Sequence, residues 1–276
     1  TCGTAGDVTV TATAGTINDD ADATVDAVGD VVTLNAGGEI GATASVETQS
    51  GTLVAVTTAA GNIAINELVN GTDFSNITAA NGSITLTAAG SSTATNVVDS
   101  SGTEFIDITL SAGDLEVGTI NAGAANGEVT LTLTAVAGQN VTDANDNSLI
   151  TTDELTIQAT GSIGSSTTLA INTTALIYVD IDSTTAGSIF LNETNALTIT
   201  DVDAASGSVW IQAGGALDQE VGNDISAGGA GDVTLITTAG GVTIDSVTAL
   251  ANQVTITSAT TIEHTDADGS DIVADT

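Results

Sequence analysis

The stretch Asp143–Glu154, DANDNSLITTDE, sets oxygen-bearing side chains at the spacing of a calcium loop. Asp143, Asn145 and Asn147 stand at loop positions 1, 3 and 5, Thr151 at position 9 and Glu154 at position 12. Carboxylate, amide and hydroxyl oxygens so placed can surround a Ca²⁺ ion. Two features depart from that motif. Ser148 occupies the sixth position, where glycine makes the sharp turn, and the flanks read as strands rather than helices. The competing expectation is an ordinary polar turn with Leu149 and Leu155 directed inward.

Two other acidic clusters could gather a hard cation. DADGSD contributes Asp266, Asp268 and Asp271, and NDDADATVD contributes Asp19, Asp20, Asp22 and Asp26. Crowded carboxylates repel one another until an ion sits between them; the alternative for each is a solvated acidic turn. Acidic pairs also serve glycoside hydrolysis, but a sugar cleft calls for stacking aromatics, and Trp210 and Tyr178 are the single Trp and Tyr. His264 is the sole imidazole, and no Ser or Cys stands with a convincing triad around it. The expectation is no enzyme, no required cofactor, and calcium as the ion the sequence could hold.

Charge narrows the partners. Among 276 residues there are 35 Asp plus Glu and no Lys or Arg, for a formal charge of −35. Nucleic-acid binding rests on cations that neutralise phosphates, and an anionic membrane surface repels such a chain, so neither is expected as a partner. No run of about 18 apolar residues is available to span a bilayer. Yet 41% of residues are hydrophobic, which argues against a disordered acidic tail. Carboxylates without cationic partners must be hydrated, screened or metal-bound, conditions that fit a saline or calcium-containing exterior. Cys2 is the single cysteine and offers no internal disulfide. The chain opens and closes in mid-pattern and reads as a processed product or a segment of a longer repetitive protein.

The elements that must carry these residues are repetitive. GDVTLITTAGG from Gly231 has near-copies in GDVTVTATAG from Gly6, NGSITLTAAG from Asn81 and NGEVTLTLTA from Asn126. Apolar residues two apart mark strands with one buried face: Val8 and Val10, Val32 and Leu34, Val54 and Val56, Ile84 and Leu86, Val209 and Ile211. Second short pairs follow, such as Ile63 and Ile65 or Val242 and Ile244. The repeat of roughly 20–25 residues is that of a solenoid rather than a sandwich. The fold expected is all-β: one single-stranded parallel β-helix over residues 1–276, with about a dozen coils. Aromatics are only 2%, so Val, Ile, Leu and Ala must fill a narrow interior. ELVNGTDFSNITAANG, Glu67 to Gly82, reads as an outward loop, and the sequons at Asn70, Asn76, Asn81, Asn140, Asn172 and Asn192 suggest surface turns. Thr-x-Thr runs such as Thr85 and Thr87 raise ice binding as a remote alternative.

GDVTLITTAGG, TDANDNSLITTDELTIQATGSIGSSTTL and AGSIFLNETNALTITDVDAASGSVWIQAGGALDQ resemble the haemagglutination-activity repeats of filamentous-haemagglutinin-type proteins. The resemblance implies a right-handed parallel β-helix in a large secreted bacterial surface protein. The function expected is therefore an extracellular structural rod, a filament or adhesin stalk or surface-layer part. Its partners would be further copies of itself and a host or neighbouring cell surface. The alternative is an adhesin module that binds calcium or carbohydrate.

Overall fold

A computed structural model describes residues 6–22, 24–69, 71–174, 178–250, 252–265 and 272–274. Every helix or strand among them is a β-strand, and the strands pair in parallel from coil to coil. The residues dictate this. Val, Ile and Thr alternate in and out with period two, Gly and Asn break the runs, and no Pro removes a donor from a ladder.

The chain winds into a β-solenoid of about twelve coils. One ladder runs from Val8–Ala12 through Leu115–Asn121 to Val254–Thr257. A second runs from the start of Ala27–Ala36 through Ile63–Glu67 and Glu154–Ala159 to Ile272–Ala274. Coils stacked at about 4.8 Å make a rod of roughly 55 Å.

The core is a set of aliphatic columns. In the second ladder Ile65, Leu86, Ile108, Leu131, Ile157 and Ile181 lie directly over one another, all essentially inaccessible. Each such side chain contributes about 1.5–3 kcal/mol by burial. A lone coil would leave both its open faces wet, so the stack stabilises itself only collectively. Phe74 is the one aromatic in the buried core of the described residues.

Four local expectations are corrected. In GTLVAVT the inward residues are Leu53 and Ala55, and Val54 and Val56 point outward. Apolar residues on both faces leave the alternation ambiguous there, and the register with Val32 and Leu34 decides it. The segment Glu67–Gly82 is no excursion: Thr72–Ala79 is a strand of the first ladder and carries Phe74 inward. Leu149 is exposed, and its neighbour Ile150 enters the core. Finally, Asn76, Asn172 and Asn192 lie within strands, not turns. Their amides stack from coil to coil, as in Asn192 Nδ2 donating to Asn172 Oδ1 at 2.8 Å and Gln212 Nε2 to Asn192 Oδ1 at 3.1 Å.

Candidate functional site: carboxylates on the solenoid surface

Many of the polar residues are spent on turns. Immediately before the first buried residue of a strand, or before the bridge residue Ile163, stands Asp114, Asn140, Ser162, Ser188, Ser208 or Asp232. Each offers a side-chain oxygen to the backbone N–H of its counterpart one coil on. Asn140 N donates to Asp114 Oδ1 at 2.7 Å, Ser162 N to Asn140 Oδ1 at 2.7 Å, and Ser188 N to Ser162 Oγ at 3.1 Å. The relay continues from Ser208 N to Ser188 Oγ, Asp232 N to Ser208 Oγ and Gln253 N to Asp232 Oδ1. Glycine precedes each of these residues except Asn140, which follows Gln139; a Cβ on Gly207 or Gly231 would collide with the carbonyl oxygen of the glycine stacked against it.

The sequence-predicted calcium turn is built the same way. Asp143 is buried, and its carboxylate accepts N–H groups from Asn145, Asn147 and Ser148 together with the Ser148 hydroxyl. Burial opposes its charge, but hydrogen bonds from Ser148, Asn147 and Asn145 outweigh it and hold the carboxyl below its ordinary value. A carboxylate so surrounded by N–H donors closes the turn on its own. Thr151 lies on Leu149–Thr151 in the first ladder, whereas Glu154 opens Glu154–Ala159 in the second and stacks between Glu128 and Tyr178. The candidates Asp266, Asp268 and Asp271 lie outside the described residues, as does Cys2.

Two clusters bring three carboxylates within 4.8 Å of one another among the described residues. Each contributes one member, Glu47 or Asp182, to a single line of the second ladder, which reads outward-facing Glu47, Asn66, Thr87, Thr109, Thr132, Gln158, Asp182, Asp203 and Ser226 in successive coils. The first cluster is Asp180, Asp182 and Asp201. Asp180 pairs with Asp201 and Asp182 with Asp203, so four aspartates occupy a square two coils high. Partial burial, then the neighbouring charges of Asp180, Asp201 and Asp203, push Asp182 up to about 6. Sequence reasoning passed over this square, although VDID and TDVDA do show aspartates two apart, the spacing that shares a face.

The second cluster is Asp19, Asp26 and Glu47. It unites two aspartates of the NDDADATVD motif but exchanges Asp20 and Asp22 for a glutamate some twenty residues on. Asp22 turns instead to Thr24, and Asp20 accepts the Asp22 N–H. Asp19 is 6% exposed. Its Oδ2 accepts the N–H of Ala21, whose φ is +65°. Its Oδ1 is buried and has no hydrogen-bond partner among the described residues, and the same holds for Glu47 Oε2. Asp26 Oδ2 accepts the Glu47 N–H at 3.0 Å. Burial first and neighbouring carboxylates second raise both Asp26 and Glu47 above the ordinary range.

The chain matches no family model, no curated protein and no solved structure. The described surface carries open depressions such as the one between Glu154, Tyr178, Asp180, Thr200 and Glu220. The clusters can do one kind of chemistry without help from other side chains: hold a proton or a cation between crowded oxygens.

Proposed function

We propose that the chain is a structural segment of an extracellular rod, of the kind that forms surface filaments, stalks or layers in filamentous-haemagglutinin-type proteins. The observation that carries this reading is the unbroken pair of ladders over an aliphatic core, which makes a stiff object whose length is its main property. Such a role asks no residue to perform a reaction. The dense anionic surface keeps separate rods from adhering side by side at low ionic strength. At its two ends the stack leaves apolar side chains accessible: Val10 in the first coil, and Ile262, Ile272 and Val273 in the last. These edges suit further β-coils, in this chain's continuation or in a second copy.

Negative-stain electron microscopy of the purified chain in millimolar calcium tests the proposal. Slender rods of uniform width are expected, singly or joined end to end. Compact or irregular particles would overturn it.

A further inference from the structure

We propose that Asp19, Asp26 and Glu47 bind one hard divalent cation of calcium's size, which fastens the connection leaving the first coil to the two coils that follow. Three independent observations meet here. One oxygen from each carboxylate lies within 4.8 Å of the others. Oxygen ligands stand about 2.3–2.6 Å from calcium, so two on opposite sides of one ion are about 5 Å apart at most. The spacing is that of a shared coordination sphere.

The second observation concerns unsatisfied atoms. Asp19 Oδ1 and Glu47 Oε2 are buried and accept no hydrogen bond among the described residues. Asp153 Oδ1 is a comparable orphan among the described residues, away from this cluster, but buried Glu67 and Asp99 have donors on both oxygens. Glu67, completely buried, receives Thr48 Oγ1, Ser50 N, Ser50 Oγ and Val69 N, and buried Asp99 receives four backbone N–H groups and a hydroxyl. Buried carboxylate oxygens without donors are costly, and a metal ion is one of the few groups that can satisfy several together. The third observation is that the sequence has no Lys or Arg to do it instead.

The three ligands come from different places. Asp19 follows Ile17, which bridges to Ile40; Asp26 directly precedes Ala27–Ala36; Glu47 lies in Val46–Thr57. An ion there ties the turn around Ala21 to the ladder. Carboxylates on three separate backbone segments suit calcium's flexible shell better than the strict octahedron of magnesium. The inference stands apart from the rod reading: a rod that binds no ion, or an ion site on a chain that is no rod, would leave the other statement intact.

The test uses the whole chain, freed of metal with chelator and held in about 0.15 M potassium chloride, which screens diffuse counterion binding. Calcium chloride is titrated by calorimetry, and melting is followed with calcium, with magnesium and with chelator. A saturable site and a calcium-dependent rise in Tm are expected. Asp19→Asn and Glu47→Gln weaken that site about tenfold or more by removing ligand charge, while Asp182→Asn leaves it intact. The signature is an inversion. In chelator Asp19→Asn melts above the parent, because a buried charge has left a crowd of like charges; in calcium it melts below. The inference is overturned by absence of a saturable site, by affinity unchanged in Asp19→Asn and Glu47→Gln, by loss of the site in Asp182→Asn, or by an Asp19→Asn deficit equal in calcium and chelator.

Discussion

A carboxylate in this protein is defined by its donors. Asp99 and Asp143 sit inside turns that offer several N–H groups; burial opposes their charge, and hydrogen bonds from the turn prevail, so both titrate low. Their contribution to stability is present above the unfolded aspartate value and fades only as pH falls through their lowered folded values. Asp182 is the opposite case. It faces Asp180 on its own strand, Asp201 and Asp203 on the next, and Gln158 in the coil below. With its folded value raised from 3.8 to about 6, its contribution is full below the unfolded value and is lost as pH rises through about 6. Partial exposure and salt screening soften the effect. The expected outcome is that Asp182→Asn raises Tm at pH 7.5 relative to the parent and that the gain shrinks by pH 5. Melting curves at both pH values check it; a gain that does not depend on pH would show the square to be indifferent to its charge.

At the scale of the element, the unit is a glycine followed by a side-chain acceptor and a buried aliphatic residue, as in Gly187-Ser188-Ile189, Gly207-Ser208-Val209 and Gly231-Asp232-Val233. Gly207→Ala drives a Cβ into the Gly187 carbonyl and should cost about 1–3 kcal/mol. Ser188→Ala removes only the acceptor for Ser208 N and should cost about 1 kcal/mol. Chemical denaturation of the two variants checks the order; a Ser188→Ala loss as large as that of Gly207→Ala would refute this division of labour. The strands themselves were readable, since pairs such as Ile84 and Leu86 or Val209 and Ile211 state their inward face by period two alone. Val54 and Val56 misled because strand propensity on both faces erases that signal, and only the neighbouring coil fixes the register. The calcium-loop reading of Asp143 to Glu154 counted oxygens along the chain but could not foresee that Thr151 and Glu154 fall in different ladders. Glu47 was invisible as a partner of Asp19 for a related reason. Proximity across coils depends on how many residues each coil spends, and coils here differ in length.

The whole molecule is governed by stacking between neighbours. Such an object has no central nucleus that every part must touch, and its contacts are made coil by coil. The aromatic pair Phe190 and Trp210 illustrates the point: it lies on the outward face, joined through ladder register, and belongs to two adjacent coils only. The relay column has a consequence for the gene as much as for the fold. Ser188 and Ser208 hold equivalent places, each with a glycine before it, so the segment from Ser188 to Gly207 is one full period. Excising it joins Gly187 to Ser208 and presents Ser162 Oγ with the Ser208 N–H in place of the one it lost. The shortened chain should fold to a cooperative all-β state about 4.8 Å shorter, whereas excising half that segment should not fold; circular dichroism melts of the two deletions check this. Duplication or loss of whole periods thus changes extent while sparing architecture, and recombination between repeats becomes a ruler with which a lineage can adjust reach one notch at a time.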